Sequence, residues 1–97
     1  MNRVPKTIEV MGYKIVVEVV DRIQGSTNIG EAHHQDAKII LSRRDSGDFE
    51  LSHDKIMITF WHEVLHHIYG SLGKKIDHDV LDAVANIIHQ VNKSARF

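Results

Sequence analysis

The chain has 97 residues, 42% of them hydrophobic and 26% charged, the composition of one globular domain with no room for a second. It contains no cysteine, which excludes disulfides and thiolate metal sites. Twelve basic residues stand against thirteen acidic ones, a balance that argues against a nucleic-acid or anionic-membrane partner. No apolar run approaches the roughly 18 residues of a membrane span, and Met1 to Lys6 leads into charged, alternating sequence rather than a signal-peptide core, so a cytoplasmic protein is expected.

From Thr7 to Val20, apolar Ile8, Val10, Tyr13, Ile15, Val17 and Val19 alternate with Glu9, Lys14 and Glu18. That period of two predicts a strand, a tight turn at Met11-Gly12 and a second strand. Asp21 to Gly30 is rich in Gly, Ser, Thr and Asn and reads as a loop. Gly30 to His34 is expected to be a short extended segment, Gln35-Asp36 a turn, and Ala37 to Ser42 a β-branched strand. Together these predict a meander of three to four strands, mostly antiparallel. The charged run Arg43 to Phe49 is a surface connection.

The second half predicts two helices. Ser52 is placed as the N-cap of the first, with an acidic first turn, and Ile56, Phe60, Val64, Ile68 with Met57, Trp61, Leu65 and Leu72 cover most of its cylinder. A helix this apolar is central. Gly70 and Gly73 are read as its end. Asp77 is the expected N-cap of a last helix, whose buried stripe is Val80, Leu81, Val84, Ile87, Ile88 and Val91. Lys93 to Phe97 reads as a tail. The expectation is therefore an α+β domain over residues 1–97: a small sheet, then a central helix, then a C-terminal helix.

Eight histidines in so short a chain direct attention to metal-ligand spacing. The central helix contains His62-Glu63-Val64-Leu65-His66, the HExxH pattern. Residues four apart lie on one helix face about one turn apart, so both imidazoles can reach a single zinc ion at about 2.0 to 2.1 Å. Glu63, one step along, is placed to take a proton from a metal-activated water as general base. A catalytic zinc usually has three protein ligands and one open position. The last helix is the natural source of the third, because one stripe of it holds His78, Asp82, Ala85 and His89. His78 ranks first as third ligand, Asp79 second and Asp82 third, with Asp82 better cast as an acceptor that orients an imidazole. Ala85 would let the two helices approach closely.

The other histidines carry weaker signals. His67 lies about 100° round the helix from His66 and reads as a packing or solvent residue. His53 decorates the helix start. Gly30 to His34 could form an edge along which an extended substrate lies. Trp61 and Tyr69 read as core aromatics, with the Tyr69 hydroxyl as an optional addition to the site.

On these residues the chain resembles the small gluzincin-type metallopeptidases, or minigluzincins, most closely the short, single-domain HExxH proteins encoded by bacteriophages and prophages. The resemblance runs through Gly30-x-x-His33, the AKIIL strand, the HExxH segment followed by Ile68-Tyr69, and Asp79 to Ala85 leading into His89-Gln90-Val91. A looser similarity reaches the ImmA/IrrE-like peptidases, whose following helix carries an acidic third ligand six residues before an apolar-Ala pair. Here that pair is Val84-Ala85, and the position six earlier is His78, where the family has Glu. A shift to Asp79 would restore an acidic ligand. The resemblance implies a minimal zincin core, a bound Zn2+, and hydrolysis of a peptide or protein substrate.

Two functions are thus expected to compete: a zinc metallopeptidase with Glu63 as general base, and a non-enzymatic zinc-stabilised phage or host-interaction module in which the metal contributes folding free energy. On the first, the tail after Val91 could cover the shallow cleft of so small an enzyme.

Overall fold

The computed structural model describes residues 3–96. β1 (Thr7–Val10) and β2 (Tyr13–Val20) form the expected antiparallel hairpin. Both turn residues have positive φ, 51° at Met11 and 84° at Gly12, as a two-residue turn must if its twist is to match that of the strands. β3 (Gly30–His33) and β4 (Lys38–Ser42) form a second hairpin, antiparallel and joined by residues 34–37.

The two hairpins do not simply follow one another as a meander. The strand order is β1-β2-β4-β3, and β4 runs parallel to β2, with Val16 opposite Lys38 and Val20 opposite Ser42. The chain passes the β4 position, lays down β3 at the edge and returns to fill the gap. Apolar content explains the arrangement. Ile39 and Leu41 of β4 are completely buried and need a neighbour on each side, whereas the short, partly polar β3 tolerates an edge.

α1 (His53–Leu72) begins where the Ser52 hydroxyl accepts the Lys55 N–H at 3.1 Å and ends at Gly73, a left-handed cap with φ 65°. Gly70, expected to help end this helix, lies inside it. α2 (His78–Ser94) starts after Asp77, whose side chain makes no capping bond. It runs two residues into the expected tail, and Lys93 is anchored there by its ammonium at 3.1 Å from Asp54.

α1 lies between the sheet and α2. One side sends Met57, Phe60 and Val64 into a core with Val10, Ile15, Val17, Ile39 and Leu41. The other side packs Leu65 against Leu81 and Ala85. Ala85, fully buried, permits the close helix approach its size suggested. Between these two apolar faces one strip of α1 is left for other uses, containing Lys55, Thr59, His62, Glu63, His66 and Gly70. Among the described residues no helix is long and apolar enough to cross a membrane.

Candidate metal centre

The free strip of α1 forms the floor of a groove of about 860 Å³, walled on one side by residues 28–34 and on the other by His78, Asp82 and Asn86 of α2. The residues singled out by spacing meet on this floor. His62 Nε2 and His66 Nε2 stand 3.1 Å apart, close to the separation of about 3.3 Å that two nitrogens have when held tetrahedrally on one zinc. His78, the first residue of α2, brings its ring to within 4.9 Å of the His62 ring and 6.0 Å of the His66 ring, centroid to centroid. One ligand atom from each of the three lies within 4.8 Å of the others.

Asp82 takes the orienting position. Its Oδ1 lies 2.8 Å from His62 Nδ1 and its Oδ2 3.7 Å from His78 Nδ1, so one carboxylate faces two imidazoles. A proton held on His62 Nδ1 by Asp82 leaves the Nε2 lone pair directed at His66, the tautomer a metal ligand requires. Asp79 and Asp82, the alternative third ligands, are absent from the ligand-spaced group among the described residues. Burial lowers the pKa of both His62 and His66. At His62 the Asp82 hydrogen bond opposes that shift, and at His66 the neighbouring imidazoles add to it. Three clustered imidazoles are a donor set suited to zinc.

Glu63 points from the same floor toward β3. It is only 6% exposed, and burial, reinforced by the charge of Glu31, pushes its carboxyl up to about 7. Among the described residues no protein donor is hydrogen-bonded to it. Room for it comes from Gly30, where an added Cβ would stand 2.9 Å from Glu63 Oε2 and 2.5 Å from Thr59 Cγ2. An acid this near neutrality, free of protein donors and open to a groove beside three imidazoles, is equipped to accept a proton and return it.

Of the stripe expected to be buried on α2, Leu81 is buried and Val84 and Ile88 pack partly buried against α1, whereas Val80, Ile87 and Val91 are exposed. His67 is a packing residue, buried, with its Nε2 3.1 Å from the Lys38 carbonyl oxygen. Trp61 and Tyr69 pack around the helix interface, and Tyr69 does not line the groove. Nor do residues 92–96 among the described lining, so the C-terminal turn does not cover it. Two further histidines find partners that spacing does not name. His89, on the predicted stripe with His78, is buried and bonds Asp54 at 2.9 Å across the helix pair. His34, in the turn after β3, reaches the α1 backbone at Gly70; an internal helix glycine next to a histidine-bearing edge is the one signal that points to it.

Comparison with models of known families, with curated proteins and with solved structures finds no match to this chain.

Proposed function

We propose that the chain is a zinc-dependent hydrolase of peptide bonds, a metallopeptidase of minimal zincin type that takes a peptide or protein substrate in the cytoplasm. The observation that carries this reading is the placement of the Glu63 carboxyl, nearly fully buried and without a protein donor among the described residues, beside the His62, His66 and His78 cluster on the floor of an open groove. A zinc ion held by those imidazoles would supply Lewis acidity, acidifying a water and polarising a carbonyl.

The protein's own groups do the rest. Glu63 removes a proton from the attacking water as its oxygen bonds to the carbonyl carbon. It passes that proton to the amide nitrogen as the C–N bond breaks, and the products leave as a carboxylate and an amine. Asp82 keeps the His62 imidazole in register. β3, an edge strand beside the floor, offers unpaired backbone N–H and C=O groups along which an extended peptide adds as a further strand.

A second reading is favoured by one observation. α2 begins at His78 without a side-chain cap bond from Asp77, so a metal joining His78 to α1 would also staple the helix pair and serve a non-enzymatic interaction module. The Glu63→Gln variant separates the two. Incubated with a mixed peptide library and zinc, wild type is expected to yield cleavage products and Glu63→Gln none, with equal zinc content. Equal cleavage by both would refute the role of Glu63, and no cleavage by either would favour the module.

A further inference from the structure

We propose that His34 is a fourth imidazole of this site, held on α1 by Gly70 so that it can donate a hydrogen bond to an oxygen of the bound substrate. The inference rests on the metal-hydrolase reading above and adds a residue that the HExxH spacing does not contain.

His62, His66 and Gly70 recur at intervals of four along α1 and therefore share one face. The third position of that series has no side chain. Its place is taken by the ring of His34. A Cβ built on Gly70 would stand 2.6 Å from His34 Cε1, 3.0 Å from Nδ1 and 3.2 Å from Nε2, so all three far atoms of the imidazole lie over this one backbone position. Glycine is among the least favoured residues inside a helix, and φ at Gly70 is not among the positive values that would require it. Close approach of His34 is the reason the structure supplies.

The ring is also braced. The His67 imidazole lies 4.7 Å from it, centroid to centroid, at 58°, and His67 is itself fixed by donating from Nε2 to the Lys38 carbonyl at 3.1 Å. The Ala37 N–H donates to the His34 carbonyl at 3.3 Å and closes the turn that carries the residue. His34 is exposed and lines the groove together with His62, Glu63 and His66. Among the described residues no protein group is hydrogen-bonded to its imidazole, and it lies outside the ligand-spaced cluster. Its nitrogens are thus committed neither to the protein nor to the metal.

A hydrogen-bond donor held at a fixed position beside the reacting carbonyl serves the oxygen that gains negative charge as water adds. Prior bracing removes the cost of ordering the donor at that moment. His34 takes no proton permanently and forms no bond; it supplies one hydrogen bond from the wall opposite α2.

The test uses acetohydroxamate, a small oxygen ligand for zinc, titrated calorimetrically into zinc-loaded full-length protein. Wild type, His34→Ala, Gly70→Ala and the double variant are compared, with zinc content measured on each. His34→Ala and Gly70→Ala are each expected to bind acetohydroxamate about tenfold more weakly, the loss of one hydrogen bond, with one zinc per chain retained. The double variant should be no weaker than His34→Ala alone, because both changes remove the same imidazole. The melting temperature gives an activity-independent check: Gly70→Ala should raise it only where residue 34 is already Ala. Unchanged acetohydroxamate affinity in zinc-loaded His34→Ala, or additive effects of the two substitutions, would overturn the inference. A wild-type protein that takes up no zinc would overturn the metal reading itself, a result distinguishable from either.

Discussion

Gly30 of β3 and Glu63 of α1 are in such close contact that residue 30 cannot carry a side chain without disturbing the carboxylate: an added Cβ would lie 2.9 Å from Glu63 Oε2. The same Cβ would lie 2.5 Å from the Thr59 methyl, which is branched at Cβ and has little freedom to withdraw inside a helix. Gly30→Ala is therefore expected to push β3 away from α1 and to lower stability by about 1 to 3 kcal/mol, the usual cost of overpacking. Urea unfolding of the variant beside wild type measures it. An unchanged midpoint would mean that the strand and helix separate freely.

Asp82 is exposed, so its replacement should leave the fold intact while releasing His62. With Nδ1 no longer paired at 2.8 Å, the imidazole loses its orienting partner, and removal of such a partner typically lowers metal affinity about 10- to 100-fold. Competition with a chromogenic chelator should show Asp82→Ala in this range with an unaltered circular dichroism spectrum. Wild-type affinity would assign Asp82 to the surface alone.

A pH prediction follows from the far end of the helix pair. Hydrogen bonds from His89 and Lys93 hold the Asp54 carboxyl below its ordinary range. A carboxyl whose pKa is lower in the folded than in the unfolded state contributes stability above its unfolded pKa of about 3.9 and loses it as pH falls through the folded value. Asp54→Asn should thus unfold at lower urea than wild type at pH 5, and the difference should shrink toward pH 3. A gap that stayed constant over this interval would show that the carboxylate charge is not what joins α1 to α2.

Metal retention should also depend on pH, for a separate reason. Imidazole binds zinc only when neutral, and burial favours the neutral form of His62 and His66 by holding both below the ordinary histidine value. Zinc occupancy is accordingly expected to be full at pH 7 and to fall as the solution drops below about 6. Zinc content after dialysis across pH 7.5 to 4.5 measures this, and full retention at pH 4.5 would contradict ligation by histidine.

Much of this layout was legible in local patterns. The period-two alternation of Ile8 to Val19 specifies the first hairpin, and the recurrence of His62 and His66 at four residues puts both on one helix face. Ala85 marks where two helices touch. What local pattern does not hold is the choice of a distant neighbour. Nothing in Lys38–Ser42 says that it pairs with β2 in parallel rather than following β3 outward; that is decided by the need of Ile39 and Leu41 for burial on both sides. His89 finds Asp54 thirty-five residues away. Gly70 reads as a helix terminator because glycine commonly sits there, and only the packing of His34 against it gives the glycine a different meaning.

The most direct test is native mass spectrometry of untagged protein purified with zinc, wild type beside His66→Ala and His78→Ala. One zinc per chain is expected in wild type, none in His66→Ala, and a weakened, partly occupied state in His78→Ala. A folded wild-type chain that stays metal-free with zinc supplied would contradict the three-histidine centre and the hydrolytic function built on it.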